Sequence, residues 1–104
     1  MIKIKIPNTV SLAKKAGKIV SGEEACKEAI RSGKAKLVIL AEDVSANTFK
    51  SITNSAKTYN VKYILLGTKE ELGHAIGNSF NAVIAVCDTG FANSIERKIL
   101  TEVK

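Results

Sequence analysis

The sequence predicts an α/β fold, a sheet covered by helices on both sides. Three observations carry this. Apolar runs of strand length alternate along the chain with segments of helical spacing. Two of the runs, Leu37-Val38-Ile39-Leu40-Ala41 and Ala82-Val83-Ile84-Ala85-Val86, are apolar at every position, so they lack the polar alternation of a half-exposed strand. The length of 104 residues, 45% of them hydrophobic, suits one core and hence one domain over residues 1–104.

The elements follow in order. Pro7 is the only proline, and a first helix can begin at Asn8 behind it. Val10, Ala13 and Ala16, with Leu12 beside them, make its apolar stripe, and Lys14 and Lys15 face away. Gly17 suits the position past its end. Lys18-Ile19-Val20 is a short strand candidate. Ser21-Gly22-Glu23-Glu24 has capping-box spacing, in which the Ser21 hydroxyl accepts from the Glu24 N–H and the Glu24 carboxylate reaches back. Ala25, Cys26, Ala29 and Ile30 give the second helix its stripe, and Gly33 ends it. The buried strand 37–41 comes next, then a loop from Glu42 to Ala46. A helix from Asn47 to Tyr59 carries Phe49, Ile52, Ala56 and Tyr59, and a strand runs from Val61 to Leu65. Thr68-Lys69-Glu70-Glu71 is a second capping box, opening a short helix through Leu72, Ala75 and Ile76 to Gly77. After the strand 82–86, a last helix spans about Gly90 to Thr101 on Phe91, Ile95, Ile99 and Leu100.

Charge is distributed unevenly. Residues 1–40 hold nine basic and three acidic side chains, which gives +6, and residues 41–104 hold seven of each, which gives zero. The basic residues are densest around Lys14, Lys15 and Lys18. A one-sided basic surface on a small domain is a footprint for a polyanion, here read as RNA. Other classes find little support. No apolar run approaches the roughly 18 residues of a membrane span. Met1-Ile2-Lys3-Ile4-Lys5-Ile6 places a charge at every second position, unlike a signal-peptide core, so a cytoplasmic location is expected. Cys26 and Cys87 form no CxxC motif and are expected as buried free thiols. His74 is the only histidine and is expected on the surface of a short helix. Gly73-His74-Ala75-Ile76-Gly77 lies within and at the end of a helix, which is the wrong context for a nucleotide loop. Glu42 and Asp43 follow a buried strand, where paired carboxylates can bind Mg²⁺ or exchange protons, but no third ligand or nucleophile stands at a suggestive spacing. The chain is therefore expected to have no catalytic residue, metal, cofactor, small-molecule substrate or membrane partner.

Gly17-Lys18-Ile19-Val20-Ser21-Gly22, the block from Gly33 to Asp43, and Lys69-Glu70-Glu71-Leu72-Gly73 resemble the L7Ae/L30e family of ribosomal, RNA-binding proteins. The Ser21-Gly22-Glu23-Glu24 variant is most like its bacterial YlxQ-type branch. The resemblance covers about residues 8–100. It implies a three-layer α-β-α sandwich on a mixed four-stranded sheet, and a ribosome-associated protein that recognises structured, kink-turn-like RNA, with ribosomal proteins as further partners. Kink-turn binders of the family carry Gly-x-Asn-Glu at the start of the second helix and a lysine three residues later. Here Gly22 matches, whereas Glu24, Ala25 and Glu28 stand where asparagine, glutamate and lysine are usual. Glu24 still offers an acceptor to a base amine. The family's second RNA-contacting loop reads Asn78-Ser79-Phe80-Asn81, and Phe80 can either stack on an unpaired base or cap the core. The expected RNA-binding residues are Lys14, Lys15, Lys18, Ser21, Gly22, Glu24, Lys27 and Phe80, with Arg31, Lys34 and Lys36 as second-rank candidates. The competing reading is a protein-interaction module of the same fold, in ribosome assembly or translation, that has lost base readout.

Overall fold

A computed structural model describes residues 5–103. Nine elements follow one another among the described residues: α1 (Asn8–Lys15), β1 (Ile19–Ser21), α2 (Glu23–Arg31), β2 (Leu37–Leu40), α3 (Ala46–Thr58), β3 (Tyr63–Leu65), α4 (Lys69–Ala75), β4 (Val83–Val86) and α5 (Thr89–Val103). The strands form one mixed sheet in the order β1-β4-β2-β3. β4 pairs antiparallel with β1 on one side and with β2 on the other. β2 and β3 run parallel, as the long crossover through α3 between them requires.

Both central strands are fully buried, as their unbroken apolar runs predict. Alternation along each strand sends side chains to opposite faces. Leu37, Ile39, Ile84 and Val86 join one core with Val10 and Ala13 of α1, Leu72 of α4 and Ile95 of α5. Val38, Leu40, Val83 and Ala85 join the other with Cys26, Ala29 and Ile30 of α2 and Ile52 of α3. The result is the expected three-layer α-β-α sandwich. Phe49 and Tyr63 add an edge-to-face ring pair at 6.3 Å on the second face.

Some stripe residues miss the core. Leu12, Tyr59 and Leu100 are exposed, as are Ala16 and Ala25. Leu12 sits one residue from Ala13 and so about 100° round the helix. Ala16 and Tyr59 are the C-cap residues of α1 and α3, past the last packed turn. Among the thiols, Cys26 is buried as expected, but Cys87 follows the end of β4 and is only half-buried. His74 is exposed on α4, as expected.

The register defines two ends of the sheet. At one end Gly22 N–H donates to Val83 O (3.1 Å), Ala41 N–H to Ala82 O (2.8 Å) and Glu42 N–H to Gly67 O (2.7 Å). At the other, Cys87 N–H donates to Lys18 O (2.7 Å), Lys36 N–H to Val86 O (2.8 Å) and Val38 N–H to Lys62 O (2.9 Å). A three-residue strand rises about 10 Å, so the residues on either side of β1 stand apart by at least that much.

Candidate nucleic-acid interface

The first end is built around Gly22. This residue has φ 93° and ψ 154°, a backbone region that only glycine adopts without strain. It lets the chain turn directly from β1 into α2, where Gly22 itself is the N-cap and its carbonyl accepts from Cys26 N–H (3.0 Å). The capping box expected from Ser21 is therefore absent. Ser21 stays in the ladder opposite Ile84, which moves the helix start on by one residue. The third helical position is then Ala25, which has no carboxylate to reach back. Thr68 and Glu71 do form their box in α4, with Thr68 Oγ1 accepting from Glu71 N–H at 3.1 Å.

The two glutamates at the start of α2 have different fates. Glu23 accepts from Thr48 Oγ1 (3.0 Å), which ties α2 to α3. Glu24 is exposed and has no hydrogen-bond or ion-pair partner among the described residues. Release from the expected box leaves its carboxylate available. Lys27 is half-buried one turn further on. Glu28 pairs with Arg31 on the exposed face of α2, a link that the spacing of three residues permits.

Phe80 belongs to the same end, three residues before the Val83 that accepts from Gly22. Its side chain is 65% exposed, so it does not cap the core. The loop beneath it is pinned. Asn78 N–H donates to Gly73 O (2.8 Å), Asn78 Nδ2 to Asn81 Oδ1 (2.7 Å) and Asn81 N–H to Lys69 O (2.9 Å). Gly73 makes this possible, because a Cβ there would lie 2.8 Å from the Phe80 backbone. In the sequence Gly73 stands out only in the Gly73–Gly77 segment and as the end of the family-like phrase Lys69-Glu70-Glu71-Leu72-Gly73. The missed signal is a small residue in a short helix just ahead of an exposed aromatic.

Lys14, Lys15 and Lys18 lie at the opposite end. Lys14 and Lys15 close α1, and Lys18 N–H donates to Ala13 O (2.9 Å) before β1 begins. The structure therefore brings Ser21, Gly22, Glu24, Lys27 and Phe80 to one end and sets the three lysines at the other. Cys87 sits among the second group. Burial pushes its thiol up, while the charges of Lys34, Lys36 and Lys18 pull it down.

Among the described residues no three metal-ligating side chains come together. Asp43 accepts from Lys69 N–H (2.8 Å) at the start of α4, so it braces a helix beside Glu42. An open hollow of about 530 Å³ between α1 and α5 contains one carboxylate, Asp88, which accepts from Phe91 N–H (2.9 Å) as a cap of α5. No helix among the described residues is long and apolar enough to cross a membrane.

A glycine turn into α2 beside a pinned loop, on a β1-β4-β2-β3 sheet in an α-β-α sandwich, defines an L7Ae-type domain. The chain belongs to the Ribosomal protein L7Ae/L30e/S12e/Gadd45 family, whose model matches residues 4–96. It is 43% identical over 86 residues to the RNA-binding protein YlxQ of Bacillus subtilis (strain 168), covering 83% of this chain and 86% of that one. It is 36% identical over 95 residues to the RNA-binding protein YlxQ of Enterococcus faecium, covering 91% of each chain. Among solved structures, a protein of unknown function from Bacillus halodurans C superposes with a TM-score of 0.85 at 32% identity, over 88% of this chain and 93% of that one. The 15.5kD RNA binding protein of Giardia lamblia shares the fold, with a TM-score of 0.73 at 23% identity, over 92% of this chain and 82% of that one.

Proposed function

We propose that this protein binds structured RNA in the cytoplasm, in association with the ribosome, and seats a kink-turn-like element at the Gly22 end. The observation that carries the reading is the meeting of a glycine turn, a free carboxylate and an exposed phenyl ring at one end of the sheet. Gly22 lets RNA backbone approach the chain closely. Glu24 accepts from a guanine or cytosine amine. Phe80 offers a stacking face to an unpaired base, and Lys27 a point charge to phosphate. Ser21 acts through the ladder, fixing where α2 starts. The relatives named as RNA-binding proteins support the same class.

Titration of a kinked RNA and of a straight duplex tests this. Phe80→Ala is expected to weaken kinked-RNA binding by about 1–3 kcal/mol, the usual worth of a base–aromatic stack. Restoring the family pattern with Glu24→Asn, Ala25→Glu and Glu28→Lys is expected to raise affinity for kinked RNA and not for the duplex. Ser21 forms no box with Glu24, so this triple change should cost little stability beyond the exposed Glu28–Arg31 pair. Equal binding of kinked RNA by the parent and by Phe80→Ala would refute the reading. The exposed Ala25 favours one alternative, a protein-interaction module without base readout, for which RNA-independent recovery of a partner such as a ribosomal protein is the sign.

A further inference from the structure

Besides Lys62, which is paired with Glu96, five lysines gather at the end of the sheet opposite Gly22. Lys18 and Lys36 flank the end of β4, bonded through their backbones to Cys87 and Val86 (2.7 and 2.8 Å). Strands lie about 4.8 Å apart, so the two backbones are about 10 Å apart. Lys34 stands two residues before Lys36, just past the turn at Gly33. Lys14 and Lys15 occupy the last turn of α1, which Gly17 N–H to Lys14 O (3.0 Å) and Lys18 N–H to Ala13 O (2.9 Å) fold back towards Lys18. All five are exposed, and none makes an ion pair among the described residues. The Lys36 ammonium donates to Gly33 O (3.0 Å), which holds that charge at the corner. The carboxylate next along the chain, Asp88, is half-buried and engaged as the cap of α5.

Helix C-termini favour cations and account for part of this cluster. They do not account for Lys18, which stands beyond the α1 turn at the entry to a strand. The composition also narrows the partner. Protein interfaces are enriched in arginine and depleted in lysine, because the guanidinium fork matches carboxylates bidentately. The cations here that make no ion pair among the described residues are all lysines, whereas Arg31, in the last turn of α2, is paired with Glu28 and Lys62 with Glu96. Lysines bind phosphates as point charges, without reading base edges, and release counterions as they do so.

We propose that the lysine end is a second, sequence-independent RNA-phosphate surface, so that the protein bridges two RNA segments, one at each end of its sheet. The bridge rests on the reading of the Gly22 end given above, whereas the lysine surface stands without it.

Fluorescence anisotropy with a straight RNA duplex, measured against salt, tests the surface. The combined variant Lys18→Gln, Lys34→Gln and Lys36→Gln is expected to flatten the log–log salt slope by roughly 2 to 3 and to weaken duplex binding at least about tenfold at low salt. Glu24→Ala with Phe80→Ala should leave duplex binding intact. A donor-labelled kinked RNA and an acceptor-labelled duplex should show energy transfer with the parent protein and lose it with either variant. Duplex binding that survives the lysine change overturns the proposal. So does capture of polyglutamate in preference to duplex. Lysine-dependent binding of duplex and kinked RNA alike, unaffected by Glu24→Ala with Phe80→Ala, overturns the Gly22-end reading and the bridge, and upholds the lysine surface.

Discussion

At the Gly22 end the exposed charge is mainly acidic, Glu24 and Glu42 among it, and shape is particular: a backbone turn open only to glycine, and a phenyl ring on a loop tied at three points. At the lysine end charge is dense and shape is generic, with five flexible ammonium groups around the end of one strand. Both kinds of contact recur in nucleic-acid recognition, where phosphate contacts position a ligand and base contacts specify it. Here the fold separates the two kinds of surface by the length of its strands. The difference teaches that net charge and site geometry are independent properties of such a domain. The +6 excess lies within residues 1–40, as does Gly22, yet the exposed lysines described above and the glycine turn face opposite ways.

The largest effect should come from the layer that both ends share. Ile39 is fully buried, central in β2, and opposite Ile84. Ile39→Ala is expected to destabilise by about 2–5 kcal/mol in urea denaturation, as large-to-small core changes do. Both RNA activities should then fall together as the protein approaches its transition. Loss at one end alone, with the denaturation midpoint unchanged, would show that the ends are not joined through this strand.

Much of this architecture was legible in the chain. The central strands declared themselves because neither carries a polar residue, and burial on both faces is what such a strand needs. The two ends were harder to read. Lys18 and Gly22 are four residues apart, which suggested one face, but extended backbone carries them apart at about 3.3 Å per residue. The failed box at Ser21 has a similar cause. Thr68 and Ser21 share the same local spacing, but only Ser21 is held in a ladder, by Ile84 more than sixty positions away. No local signal records that partner. Phe80 could be core or surface on sequence grounds, and the close approach of its backbone to Gly73 belongs to the folded chain.

Two glycines offer intermediate effects confined to the first end. Gly22→Ala meets open space, so its cost is backbone strain alone, about 1–3 kcal/mol. Gly73→Ala would place a methyl 2.8 Å from the Phe80 backbone, and overpacking of this kind also costs about 1–3 kcal/mol. Both variants should weaken kinked-RNA binding while the salt-dependent duplex binding of the folded protein is retained. Amide chemical shifts provide the check. Gly73→Ala should move residues 78–81 and leave Lys18, Lys36 and Cys87 in place. Shifts spread evenly over both ends would erase the distinction drawn between them.

The smallest effects concern the thiols. Burial, and then the nearby Cys87, push the Cys26 thiol up from 9.0 to about 12. The unfolded chain therefore gives up this proton first. The stability that the neutral thiol contributes is full below pH 9 and drains away as pH rises towards 12. Stability measured across that range should fall less steeply in Cys26→Ala than in the parent. Cys87 is half-buried, and its upward shift from burial is offset in part by Lys34, Lys36 and Lys18. It should be alkylated before Cys26, since the thiolate is the reacting species and the more buried thiol forms it less readily. Phosphates bound at the lysines would cancel their pull on the thiol and raise it further. Straight duplex RNA should therefore slow Cys87 alkylation near pH 8, and high salt should remove that protection. Kinked RNA held only at the Gly22 end should not protect it. Protection of Cys87 that persists in the triple lysine variant would mean that RNA reaches this thiol by some other surface, and the division of labour between the two ends would fall.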